Sequence, residues 1–95
     1  MSEHAMKHLS LLGLKVKDKV TGVKGVVTTV SFDLYGCIQV IIDRGLKKDG
    51  TAYDSRWLDV SRLYILKKTP VMQVPDYQRG YVAEGRQGSA DKPLP

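Results

Sequence analysis

One stretch limits what this chain can fold into. Residues 13–43 read GLKVKDKVTGVKGVVTTVSFDLYGCIQVIID, three alternating or continuously apolar runs separated by two turn signals. A repeat of two is the side-chain period of a strand, not of a helix. Leu14, Val16, Asp18 and Val20 point one way while Lys15, Lys17 and Lys19 point the other, which predicts a strand over 14–21 with three lysines on its solvent face. Residues 21–25, TGVKG, supply the glycines of a tight reversal. A second strand follows over 25–33, rich in β-branched residues, with Val26, Thr28, Val30 and Phe32 sharing a face. Asp33-Leu34-Tyr35-Gly36 reads as a hairpin connection in which Asp33 caps the turn and Gly36 takes positive φ. The third strand, 37–43, turns Ile38, Val40 and Ile42 inward.

The pattern has an echo downstream. Residues 44–53 are a polar, flexible loop around Gly45, Lys47, Lys48 and Gly50. A fourth strand is expected over 56–60, a single turn of 3₁₀ type over 61–63, and a closing strand over 64–67. The predicted core is Val16, Val26, Val30, Ile38, Val40, Leu58, Leu63 and Ile65. The flanks differ in character. Residues 1–11 are weakly patterned, with a turn or two of helix placing Ala5, Met6 and Leu9 on one side. From Thr69 onward prolines and glycines punctuate the chain, so 69–77 is expected to be extended against the domain and 79–95 disordered. The organisation is therefore a flexible segment over 1–11, one domain over 12–68 and a tail over 69–95. Five short strands with one turn before the last predict an all-β fold, a small SH3-like barrel; closure would also hide the strand edges of so short a chain. An OB-type barrel is the second choice, and it would normally bring longer strands and a helix after the third.

Charge narrows the function. The formal net charge of +5 lies wholly within residues 12–68, where eight lysines and three arginines face six aspartates, while the flanks balance. A basic domain suits nucleic acid, a nucleotide or an acidic protein, and the same charge also serves solubility. Cys37 is the single cysteine, so no intramolecular disulfide or cysteine-rich zinc site is expected, in keeping with a reducing cytoplasm. The first residues do not read as a signal peptide, and no apolar run approaches the roughly 20 residues of a membrane helix.

The stretch LGLKVKDKVTG…GVVTTVSFDLYGCIQV, with RWLDVSRLYIL after it, resembles a group of uncharacterised small proteins of proteobacterial phages and prophages, over about residues 12–66. Within it, DKVTGVKGVV is similar to the strand–turn–strand opening of KOW and Tudor-like modules, which bind nucleic acid or protein. The first resemblance implies no particular activity; the second implies a binding barrel.

No enzyme is predicted. Nucleophilic catalysis needs a base within reach of the nucleophile, and both histidines, His4 and His8, precede the domain. Cys37 reads as a small buried packing residue. His4 and His8 are spaced to share a helical face, but no third ligand accompanies them, so neither a metal nor another cofactor is expected. Asp18 and Asp59 fall on faces read as inward, and a buried carboxylate needs partners, with Arg56, Arg62 or backbone amides available. The binding features are Tyr35, Tyr53 and Trp57 near loops, with Lys15, Lys17, Lys19, Lys24, Arg44 and Arg56 around them. Trp57 also reads as core, and the lysine row as a device that blunts a strand edge. Three functions of different class fit. One is a non-enzymatic module that binds nucleic acid or another acidic partner through its basic face. The second is a phage-encoded counter-defence protein that sequesters a signalling nucleotide between subunits of a homo-oligomer. The third is a structural or assembly adaptor for a protein partner.

Overall fold

The structure, a computed structural model, describes residues 3–77. Five strands form one antiparallel sheet: β1 (Lys15–Asp18), β2 (Lys24–Phe32), β3 (Ile38–Asp43), β4 (Trp57–Asp59) and β5 (Leu63–Lys67), in the order β4-β3-β2-β1-β5. The all-β expectation and all five strands stand. The hydrogen-bonded ladder is open between β4 and β5. A single 3₁₀ turn, Val60–Arg62, joins those two edge strands, capped by the Asp59 carboxylate, which accepts from the Ser61 amide at 2.9 Å and its hydroxyl at 2.7 Å. The expected helical start is α1 (Glu3–Leu9), with Ala5, Met6 and Leu9 half-buried and the His8 and Phe32 rings nearly perpendicular, their centroids 6.3 Å apart. Among the described residues no helix is long and apolar enough to cross a membrane. The disorder expected over 79–95 lies outside the described residues.

The core sits on one face of the sheet. Leu14, Val16, Val27, Val40, Ile42 and Leu58 are buried, with Leu11, Leu12, Val23, Val30 and Leu63 packed against them. Val16, Val40 and Leu58 were expected there. Val26 was not displaced by chance. β2 pairs Val27 with Ile42 but Thr29 with Ile41, so Thr28 is an extra residue opposite none. Such a bulge shifts the alternation by one. Val27 faces inward before it and Val30 after it, while Val26 turns to the other face, opposite Lys15 and Asp43. The inward set Val26, Thr28, Val30, Phe32 is thus corrected at its start, where Thr28 is exposed and Val27 is the buried residue; Phe32 keeps the parity of Val30 but, as the last residue of β2, is exposed.

Other departures have equally local causes. β1 ends at Asp18, so Val20, 71% exposed, and Lys19 belong to the following turn rather than to a strand. Ile65, on the edge strand β5, is exposed, and Ile38 and Leu63 are half-buried. Cys37 is exposed, not buried, because it precedes β3 in the hairpin turn, where its amide donates to the Asp33 carboxylate at 2.8 Å. Asp59 and Trp57 are exposed on the face opposite Leu58, and Trp57 covers its cross-strand partner Ile41 from solvent only in part. β1 lies between β2 and β5, so its lysines blunt no edge.

Two glycines are required where they stand. Gly36 has φ +91° at the hairpin tip, as its sequence position implies. Gly25 lies inside β2 rather than in the turn, and a Cβ there would come within 2.6 Å of the Asp43 carbonyl oxygen.

The bulge makes a sharp prediction. Val27→Ala and Val40→Ala should each cost about 1–3 kcal/mol through lost burial and a cavity. Val26→Ala should cost less than about 1 kcal/mol, since its side chain is only half-buried. Urea melts of the three variants decide it, and the reverse order at 26 and 27 would remove the bulge from the account.

Candidate functional site

One end of the sheet gathers basic and aromatic side chains. It is built from the β1–β2 turn, the start of β2 and the β3–β4 loop. Asp18 holds the turn. Its carboxylate, 1% exposed, accepts from the Val20 amide at 3.1 Å, the Thr21 hydroxyl at 2.6 Å, Arg62 Nε at 2.9 Å and Arg62 Nη2 at 2.6 Å. Arg62 is the partner that the inward position of Asp18 demanded. The guanidinium first, then the Thr21 hydroxyl, hold the Asp18 carboxyl well below the usual carboxylate range, and the same contact raises Arg62. The turn closes with the Asp18 amide donating to the Val23 carbonyl and the Gly22 amide to the Asp18 carbonyl, each at 2.8 Å.

The β3–β4 loop folds back on itself instead of hanging free. Leu46 and Ala52 form an isolated bridge, and the Lys47 amide donates to the Thr51 carbonyl at 2.7 Å. Asp49 caps this small hairpin through the Thr51 amide and hydroxyl, which lower its pKa. The fold-back carries Tyr53 to Arg44. The Arg44 guanidinium carbon lies 3.9 Å from the Tyr53 ring centroid, and the Lys47 ammonium is 5.7 Å from the same centroid. A guanidinium stacked on a ring keeps its in-plane N–H donors free for a phosphate or carboxylate.

Two cavities open beside this stack. One of about 400 Å³ has Thr21, Arg44, Lys47, Tyr53 and Arg56 in its wall, along with Asp54. The other, of about 380 Å³, is shared by Thr21, Lys24, Arg44 and Tyr53. The fold therefore brings Lys24, Arg44, Tyr53 and Arg56 together, and adds Thr21 and Lys47. The remaining candidates lie elsewhere. Lys17 stands opposite Lys24 on one side and Tyr64 on the other, with its ammonium 5.9 Å from the Tyr64 ring centroid. Lys15 pairs with Lys67 across the β1–β5 ladder. The expected row of three lysines is thus a patch of Lys15, Lys17, Lys24 and Lys67 spread over three strands, with Lys19 outside it. Tyr35, 88% exposed, is at the β2–β3 hairpin tip, and Trp57 is on β4; neither joins the stack.

Tyr64 and Lys67 were not singled out from sequence. Their link to Lys15 and Lys17 runs through a ladder between residues some fifty positions apart, and no local spacing announces it. Cys37 carries no activating neighbour: the charge of Asp33, then desolvation, push its thiol pKa up. Among the described residues no group of three or more His, Cys, Asp or Glu side chains is placed to hold a metal. The chain matches no family model, none of the curated proteins and no solved structure.

Asp18 makes the site acid-sensitive. Its folded-state pKa is depressed, so its contribution to stability is complete above the ordinary aspartate pKa of about 3.9 and is lost as pH falls below that value. Thermal melts should be flat from pH 7 to about 5 and should fall steeply below about pH 4. Asp18→Asn should lower the melting temperature at pH 7 and flatten the acid limb. An acid limb unchanged by the substitution would assign it to other carboxylates, such as Asp49 and Asp59.

Proposed function

We propose that this chain is a non-enzymatic binding module, a small SH3-like barrel whose basic end engages nucleic acid or another acidic partner. Connectivity supports the barrel. In a flat five-stranded sheet the outer strands would stand about 19 Å apart, four spacings of roughly 4.8 Å. A 3₁₀ turn advances about 2 Å per residue, and only Val60–Arg62 separates β4 from β5. So short a link favours edges that curl toward each other, as in a barrel.

The Arg44–Tyr53 stack carries the reading of the site. It fixes a planar cation at the mouth of two cavities that Lys24 and Arg56 also line. The Lys15, Lys17 and Lys67 patch continues the positive surface across β1 and β5. Fixed donors over an aromatic ring suit phosphates, and a continuous basic surface suits a chain of them. The adaptor reading draws on a different feature, the edge strand β5 with Tyr64, Ile65 and Leu66 exposed by 57%, 39% and 44%.

Retardation of labelled DNA and RNA oligonucleotides tests the proposal. The wild type should bind at micromolar protein and about 50 mM salt, with affinity falling linearly on a log–log salt plot. Lys24→Ala, Arg44→Ala and Arg56→Ala together should flatten that slope by about 2–3, and Lys15→Ala with Lys17→Ala by about 1.5, with circular dichroism unchanged. No retardation by the wild type under these conditions would defeat the proposal and advance the nucleotide or adaptor reading.

A further inference from the structure

After β5 the chain turns back over the sheet. The Val71 amide donates to the Gly13 carbonyl at 2.9 Å, and residues 71–77 then form one wall of a groove of about 790 Å³. The floor is the Lys15–Val26–Asp43 row, on the face away from the core. The volume lies within the range of small-molecule sites, roughly 300–1,000 Å³.

We propose that this groove binds a small amphipathic anion, with a hydrocarbon body along Val26, Leu66 and Met72 and a carboxylate or phosphate head at Lys24 and Arg44. The apolar side chains of the lining are aliphatic apart from Tyr77, the chemistry of an alkyl chain rather than of base stacking, and Thr28 and Gln73 are the neutral polar side chains among them. The apolar residues facing the groove are left open: Leu66 is 44%, Val71 51% and Met72 73% exposed. Charge selects the ligand's sign. Lys15, Lys24 and Arg44 line the groove against one carboxylate, Asp43, which accepts from the Gly45 amide at 2.8 Å. Charge also selects its orientation, because Lys24 and Arg44 line both this groove and the cavity of about 380 Å³ beside the Tyr53 ring. The apolar channel therefore ends at a cation whose guanidinium is already held on Tyr53. A neutral hydrocarbon would leave those cations unused, and a nucleic-acid backbone would leave the aliphatic wall unused; an amphiphile with an anionic head uses both. The site goes beyond the nucleic-acid reading and shares only Lys24 and Arg44 with its central cluster.

Methyl NMR titrations of the full chain test it with three probes below their micellar concentrations: dodecanoate, dodecyl phosphate and dodecanol. Both anions should produce saturable shifts at the Val26, Leu66 and Met72 methyls, and dodecanol should bind at least roughly tenfold more weakly. The tighter anion identifies the head group. Leu66→Ser with Met72→Ser changes two exposed side chains, so the fold should persist; affinity for both anions should fall roughly tenfold or more while retardation of DNA and RNA stays unchanged. Absence of saturable shifts at those methyls, equal binding of dodecanol, or an unaltered affinity in the double variant would each overturn the proposal. A groove already filled by a second copy or by the chain beyond residue 77 would give the first of these results.

Discussion

The carboxylate of Asp18 is the point on which distant parts of this small sheet depend. It sits at the end of β1, almost without solvent, and gathers four hydrogen bonds from three residues. Two of the donors, the Val20 amide and the Thr21 hydroxyl, shape the β1–β2 turn. The other two belong to Arg62, the last residue of the 3₁₀ turn, 44 positions away. A buried carboxylate without partners is too costly to keep, and Arg62 supplies two of the four donors that satisfy Asp18. The ion pair thereby brings the link between the two edge strands against the end of β1, and the Lys19 amide adds a bond to the Arg62 carbonyl at 2.7 Å. The turn that walls the basic cavities and the connection between the two edge strands are held by one side chain.

Much of this was legible in residues 13–43, because strand alternation and turn chemistry are local signals. The strands, the Asp33 cap, the positive φ of Gly36 and the need of Asp18 for a partner, with Arg56, Arg62 or backbone amides available, were all written in spacing and residue type. The phase of β2 was not. GVVTTV offers β-branched residues on both parities, so either Val26 or Val27 can face the core, and the choice depends on where an extra residue is accommodated opposite β3. Gly25 shows the same limit: as part of TGVKG it reads as a turn glycine, yet it serves the close approach of the Asp43 carbonyl. Burial on edge strands was equally hidden. Ile65 has the parity of a core residue, being opposite Val16, but β5 has no neighbour on its outer side.

The candidate site was legible in composition but not in arrangement. Lys24, Arg44, Tyr53 and Arg56 drew notice as basic and aromatic residues near loops, and they do converge. What brings them together is the fold-back of the β3–β4 loop through the Leu46–Ala52 bridge and the Asp49 cap. The polar tip gave only the signal of flexibility. Residues 71–77 were legible as an extended segment against the domain, and one backbone bond to Gly13 lays them along the sheet; the groove they wall was not, because apolar side chains without a period do not say which surface they cover.

The lysines add a final constraint. Lys17 and Lys24 are directly opposed across the β1–β2 ladder, and like charges so placed repel. Tyr64 relieves part of this by offering its ring to Lys17, while Lys15 and Lys67 raise the local charge again. A surface built only for solubility would intersperse the two signs, as the rest of the described chain does with its loop and strand aspartates. An anion lying across β2, β1 and β5 would remove the repulsion at several points together. The gain would be largest where the cations are already fixed, as Arg44 is on Tyr53, because little side-chain freedom is then left to lose on binding.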